Sequence, residues 1–329
     1  MSDKIYDLVV VGGGPVGIFT AFYARMRSLD TVLLESMPRL GGQPQNLYAQ
    51  KHLYDVAGQF NVQGSELIDH LLVGSERFNY PKLVNTTMLN FTWDSQNQFY
   101  QIKTNQEALR ARALIITIGN GPFQPRKLAF DYAPEIEGHQ LNYFVEDLED
   151  YKDQTVLIAG GGDTAIDWAL EINQISQKTY LLHRRNQFRA LESSVEQLQQ
   201  STVELLTPEI IEGLHPLASN QLQVNYKTVK TGTQHQLIVN KLLVNYGITS
   251  DSRLLRSWGL NLQGPFIKVD SQMRTNLPQI YAAGDAVTYP GKQRLIALGF
   301  SEGPIAVNSL IQDLYPEQKA FGHSSSMFN

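Results

Sequence analysis

Apolar and polar positions along this chain follow two rhythms. The run Ile5-Tyr6-Asp7-Leu8-Val9-Val10-Val11 is mostly apolar and closes on Gly12, the pattern of a strand buried on both faces in a parallel sheet. From Pro15 to Arg27 the apolar positions Val16, Phe19, Tyr23 and Met26 recur at helical spacing. Thr31 to Leu34 is again apolar and ends on Glu35, so the first 35 residues read as one strand–helix–strand unit. The same grammar returns with Thr155 to Ala159 as strand, Gly160-Gly161-Gly162 as turn, residues 163–177 as helix and Thr179 to Leu182 as strand. The two glycine turns lie 148 residues apart, counting from Gly12 to Gly160, which is the mark of a duplicated architecture rather than a short-period repeat.

Between these units, residues 64–78 read as an amphipathic helix and residues 88–104 as antiparallel strands. Residues 113–118 form another buried strand, which runs into the hinge-like Gly119-Asn120-Gly121-Pro122. After the second unit, residues 221–226 and 236–245 alternate as strands do, and residues 247–251 read as a second crossing between domains. The segment 279–285 is strand-like and leads to a helix near residues 296–310.

The length of 329 residues accommodates about two domains. With 27 Lys and Arg against 32 Asp and Glu, the net charge of −5 lacks the positive field that nucleic acid demands. No apolar stretch is long enough to span a bilayer, and a cytoplasmic protein is expected. Cysteine is absent from the sequence, which excludes disulfides, thiolate metal sites and any dithiol relay within the chain. The seven histidines have no metal-ligand spacing, and no metal is expected.

Gly12-x-Gly14-x-x-Gly17 follows a strand and opens a helix, where glycine permits the tight turn and the close approach of a pyrophosphate. Glu35, 18 residues past Gly17, stands where a carboxylate would accept hydrogen bonds from a ribose 2′-hydroxyl. In the second unit, Gly160-x-Gly162-x-x-Ala165 repeats the motif, and 18 residues past Ala165 stands His183, followed by Arg184 and Arg185. Guanidinium forks in place of the acid suit a 2′-phosphate, so the second nucleotide is expected to be NADPH, with Arg189 a third cation. One turn fit for a free 2′-hydroxyl and one for a 2′-phosphate suggest FAD in the first unit and NADP(H) in the second.

These motifs, together with Leu40-Gly41-Gly42-Gln43, Gly119-Asn120-Gly121-Pro122-Phe123, Gly160-Gly161-Gly162-Asp163-Thr164-Ala165, His183-Arg184-Arg185-x-x-Phe188-Arg189-Ala190 and Ala283-Gly284-Asp285, closely resemble the thioredoxin-reductase-like (type 2) ferredoxin/flavodoxin–NADP+ reductases over essentially the whole chain. The resemblance implies an α/β fold of two Rossmann-like three-layer nucleotide-binding domains, the first interrupted by the second. Residues 1–121 and 249–329 would form the FAD-binding domain and residues 122–248 the NADP(H)-binding domain. It implies a homodimer with non-covalent FAD. Gln43, Tyr48 (stacked on the isoalloxazine), Met88, Phe123 and Asp285 would join Gly12, Gly14, Gly17 and Glu35 around that cofactor. His323 and Ser325 would approach the flavin from the partner protomer's tail, with Ser324 and Ser326 as neighbouring choices for the N5 contact. NADP(H) would take Gly160, Gly162, Asp163, Thr164, His183, Arg184, Arg185 and Arg189.

Thioredoxin reductases share this plan but carry a Cys-x-x-Cys before the second nucleotide unit; here residues 138–147 hold no cysteine. Electrons are therefore expected to leave directly from the flavin edge to an outside acceptor, which the resemblance implies is ferredoxin or flavodoxin. A separate disulfide protein, a quinone, oxygen, or a redox sensor without turnover are the alternatives. Arg126, Lys127, Lys292 and Arg294 are candidate cations for docking an acidic carrier. Gly299-x-Ser301-x-Gly303 matches a hydrolase nucleophile elbow, a reading set aside in favour of small residues that let a helix pack closely.

Overall fold

The computed structural model describes residues 4–119, 121, 124–218, 220–249 and 253–317. The chain divides into two compact units, Met1–Pro122 with Ser250–Asn329, and Phe123–Thr249.

The first unit is built on a seven-stranded sheet in the order Lys82–Leu83, Thr31–Leu34, Ile5–Val11, Leu109–Ile116, Phe99–Thr104 and Met88–Asp94, with Ile280–Ala282 also paired to Leu109–Ile116. The strand Leu109–Ile116 serves two neighbours on one edge: Leu109 to Ala111 pair antiparallel with Tyr100 to Ile102, and Leu114 to Ile116 pair parallel with Ile280 to Ala282. Its burial changes accordingly, alternating in the first half and continuous in the second. Only the continuous half gives the buried-strand signal, so the strand begins earlier than the sequence pattern indicates. Helices Pro15–Met26 and Ile296–Leu314 pack with the strands in one core containing Leu8, Ile18, Ile115, Val307 and Leu310.

The second unit holds a five-stranded all-parallel sheet in the order Leu141–Asn142, Lys241–Asn245, Thr155–Gly160, Lys178–Leu182 and Glu204–Leu206. A three-stranded antiparallel sheet, Glu209–Pro216, Leu222–Thr228 and Gln234–Val239, adjoins it. The stretch expected as one strand over residues 236–245 is two, Gln234–Val239 and Lys241–Asn245, in different sheets. Asn240 makes the corner: its side chain accepts from the Thr155 amide and its amide donates to the Thr155 carbonyl. The helix after the second glycine turn is Asp163–Ile172, shorter than expected, because Asn173 and Gln174 already turn the chain away. Helix Glu192–Gln200 has no apolar stripe to announce it and buries only Leu198. Both units are Rossmann-like, and in sequence the first is interrupted by the second.

Candidate functional site

The helices that open on the two glycine turns both begin without a side-chain cap. Gly14 precedes Pro15–Met26 and Gly162 precedes Asp163–Ile172. Helix Gly64–Ser75, by contrast, is closed by a capping box between Gln63 and Glu66. Uncapped first-turn amides and the positive end of the helix dipole favour an anion.

In the first unit, Gly12 has φ +106°, and a Cβ there would stand 2.6 Å from the Thr117 carbonyl oxygen, so only glycine serves. A Cβ on Gly17 would meet the Gly12 carbonyl oxygen at 1.8 Å, which is how closely helix and strand pack. Thr117 Oγ1 donates to the Val11 and Gly12 carbonyls at 3.0 and 2.8 Å, a support for the turn that the spacing rules do not detect. Gly41 and Gly42 fold against the same turn: the Gly41 amide donates to the Gly13 carbonyl at 2.7 Å, and a Cβ on Gly42 would lie 2.8 Å from Gly14 Cα. A Cβ on Gly14 would meet nothing nearer than Gly42 Cα at 3.7 Å, which leaves that side of its backbone open to a pyrophosphate.

Glu35 is 6% exposed. Its Oε2 accepts from the Gly13 amide at 2.7 Å and its Oε1 from the Met37 amide at 2.8 Å, which fixes the carboxylate beside the turn while leaving lone pairs for sugar hydroxyls. The Thr86 amide donates to the Glu35 carbonyl at 2.8 Å, bringing the buried Met88 strand to the same edge. Gln43 lies on the short helix Gly42–Asn46 opposite Gly119, where a Cβ would be 3.9 Å from Gln43 Nε2.

Tyr48 is half-buried and packs on the cluster of Leu53, Val56, Val62 and Leu67. Burial raises the pKa of its hydroxyl, and the carboxylates of Asp285 and Asp55 raise it further, so it is a neutral hydrogen-bond donor. Asp285 follows Gly284, whose φ is +78° and whose Cβ would lie 3.3 Å from Val16 on the first helix. Burial also raises the pKa of Asp285, against Lys292 and Arg294, which lower it. The structure thus gathers Gly12, Gly14, Gly17, Glu35, Gln43, Tyr48, Met88 and Asp285 within the first unit. Phe123, His323 and Ser325 lie outside the described residues.

In the second unit a Cβ on Gly160 would meet Ala165 Cβ and the Asn245 carbonyl oxygen, both at 2.7 Å. One on Gly161 would strike the His183 ring at 2.2 Å. The imidazole therefore lies directly on the glycine turn, stacked on Phe188 with centroids 5.4 Å apart. Burial first, and then the charge of Arg184, lower its pKa. The arginine loop folds back on the turn: the Arg189 amide donates to the Gly161 carbonyl at 2.7 Å, and the Leu191 amide to Asp163 Oδ1 at 2.8 Å. Asp163 is thereby occupied as a tether for the loop, and its charge is turned to an amide. Arg184, Arg185 and Arg189 are exposed, and no carboxylate among the described residues pairs with them. Buried His183 Nε2 and Asn245 Oδ1 have no hydrogen-bond partner, polar atoms at the turn still to be satisfied. Asn245 was invisible to motif reading because it is distant in sequence.

The candidate docking cations fare unequally. Lys292 is buried, its side chain 3% exposed and paired with Glu302, so it offers nothing to a carrier; that burial depends on packing of the following helix against Val16 and Thr20, which its local sequence does not show. Arg294 lies 3.8 Å above the Phe266 ring, Lys127 is paired with Glu137 at 2.5 Å, and Arg126 is exposed. Ser301 lies inside helix Ile296–Leu314, with no strand running directly into it, so the nucleophile-elbow geometry is not formed.

The profile of the pyridine nucleotide-disulphide oxidoreductase family matches residues 6–303. Ferredoxin–NADP reductase 2 of Latilactobacillus sakei subsp. sakei is 45% identical over 325 residues, 99% of this chain and 98% of that protein. Ferredoxin–NADP reductase of Halalkalibacterium halodurans is 43% identical over 99% of each chain. Among solved structures, thioredoxin reductase of T. acidophilum matches with a TM-score of 0.83 at 21% identity, over 95% of this chain and 99% of that one. Lactococcus lactis thioredoxin reductase gives 0.82 at 23% identity, over 94% and 99%. At those identities the structures speak for the fold alone. No helix among the described residues is long and apolar enough to cross a membrane. On its profile match and its full-length relatives, the chain belongs to the pyridine nucleotide-disulphide oxidoreductase family, among the ferredoxin–NADP reductases of thioredoxin reductase-like fold.

Proposed function

We propose that the first unit holds FAD, the second holds NADP(H), and the protein moves electrons between NADP(H) and the one-electron carrier ferredoxin or flavodoxin. The observation that carries this reading is the opposite chemistry of two similar turns: a fixed carboxylate, Glu35, closes the first, and exposed arginines close the second. The carrier is inferred from the name borne by the full-length relatives and from the absence of cysteine, which leaves no dithiol in the chain to receive electrons.

A bound flavin exchanges hydride with a nicotinamide and single electrons with a carrier. The chain's own residues bind and orient. Glu35 accepts from the adenosine ribose, the open amides after Gly14 meet the pyrophosphate, and Gln43, Asp285 and the neutral hydroxyl of Tyr48 line the remainder of the FAD site. Arg184, Arg185 and Arg189 hold a 2′-phosphate, with His183 and the Asp163 tether setting the loop that carries them. Hydride transfer needs orientation rather than a general base, and none is assigned. Phe123, and His323 and Ser325 from a second copy of the chain, are assigned to the flavin by resemblance, as are the homodimer and a cytoplasmic location.

Stopped-flow mixing tests the reading. NADPH should bleach the flavin absorbance at least as fast as turnover, and NADH should be much slower. A flavin bleached equally by both nucleotides, or one reduced more slowly than any turnover, would count against it.

A further inference from the structure

The buried charges of the first unit continue past Asp285. Lys292 and Glu302 form an ion pair at 2.5 Å with side chains only 3% and 2% exposed. Glu302 lies on the C-terminal helix Ile296–Leu314, between two glycines that bring this helix onto the first one. A Cβ on Gly299 would stand 2.4 Å from Val16 Cγ2, and one on Gly303 would stand 2.3 Å from Thr20 Oγ1. The Glu302 carboxylate is thereby carried to the turn beside Val16, where its Oε2 accepts from the Gly284 amide at 2.7 Å. Its Oε1 accepts from the Tyr289 hydroxyl and from Lys292 Nζ, both at 2.5 Å. One carboxylate therefore ties both ends of the stretch from Gly284 to Lys292, and Asp285 is the second residue of that stretch.

A buried ion pair is weak evidence for stability, because desolvation offsets most of the attraction and an apolar replacement is often as stable. Geometry explains this one better. We propose that Glu302 and Lys292 form a positioning pair for Asp285, Glu302 holding the Gly284–Asp285 turn in place and Lys292 offsetting the two carboxylates around it. This rests on the reading that the first unit holds FAD. The charge balance around Asp285 is consistent with it: burial favours the protonated acid, Lys292 and Arg294 favour the carboxylate, and Glu302 opposes them. Neither member of the pair is a catalytic residue; both act through Asp285.

The test compares the purified holoenzyme with Glu302→Gln, Lys292→Met and Tyr289→Phe, reading FAD release after dilution and the flavin midpoint potential. Both charge variants should release FAD at least tenfold faster. Their potentials should move in opposite directions, upward in Glu302→Gln, which leaves a cation unpaired, and downward in Lys292→Met, which leaves an anion. Tyr289→Phe, which removes a neutral hydrogen bond to the same oxygen, should leave the potential unchanged. Potentials that shift in one direction in both charge variants, or that do not shift, overturn the proposal, as does release at the wild-type rate. If a single variant does not fold, the double variant Glu302→Gln/Lys292→Met decides: it should fold and release FAD faster than wild type. Wild-type retention overturns the proposal, and failure to fold overturns it too, by making the pair a requirement of the scaffold. A wild-type protein purified without FAD would instead refute the assignment of the first unit, and is separately recognisable.

Discussion

Glu35 and Arg184 stand at the ends of similar strands and differ in what surrounds them. Glu35 is held by the amides of Gly13 and Met37, whereas Arg184 and Arg185 reach solvent. Such cations are worth having where a phosphate comes to them, and each charged contact contributes about 1.5 to 3 kcal/mol. Arg184→Ala with Arg185→Ala should therefore raise KM for NADPH by more than about tenfold while leaving KM for NADH nearly unchanged; equal weakening of both nucleotides would make the pair structural. His183 adds a pH dependence. Its folded pKa lies below the ordinary histidine value because of burial and then Arg184. As pH falls below about 6.5, the unfolded chain takes up a proton that the fold resists, so this histidine's contribution to stability is present above that pH and is lost as pH drops toward the folded pKa. Melting temperatures between about pH 5 and 8 should fall on the acid side, and His183→Asn should flatten that slope; an unchanged slope in the variant would exclude His183 as its source.

At the level of elements, the glycines carry the site, and their substitution has a definite meaning. Gly161→Ala would drive a methyl group into the His183 ring at 2.2 Å, and such overpacking costs about 1 to 3 kcal/mol; a lower melting temperature and weaker NADPH binding should appear together. Ser301→Ala, by contrast, should change neither flavin content nor activity, since Ser301 is exposed and its hydroxyl only donates to the Leu298 carbonyl within its own helix. The glycine turns and the strands feeding them were legible because their signals are local: a buried apolar run, a forced φ, an acid or a cation at fixed spacing. Helix Glu192–Gln200 was not, because its one buried residue, Leu198, gives no periodicity. Lys292 read as a surface cation for the same kind of reason. The carboxylate that buries it sits ten residues on, on a helix placed by Gly299 and Gly303 against Val16 and Thr20. The Asn245 contact to the second turn and the Thr117 support of the first are likewise products of tertiary folding.

The whole molecule joins two nucleotide-binding units in a chain with no cysteine, and that combination dictates how electrons can leave. The thioredoxin reductases that share the fold do not decide the acceptor, since their likeness to this chain is one of fold. A net charge of −5 gives no overall attraction to an acidic carrier, so docking of the proposed carrier would rest on local cations such as the exposed Arg126 and should weaken with salt. The central claim is the one-electron carrier. Its most direct test is NADPH-driven reduction of cytochrome c by the purified protein, with and without ferredoxin or flavodoxin, and in parallel with a thiol carrier. Marked stimulation by ferredoxin or flavodoxin, and none by the thiol carrier, is the predicted result. Stimulation by the thiol carrier alone would contradict it.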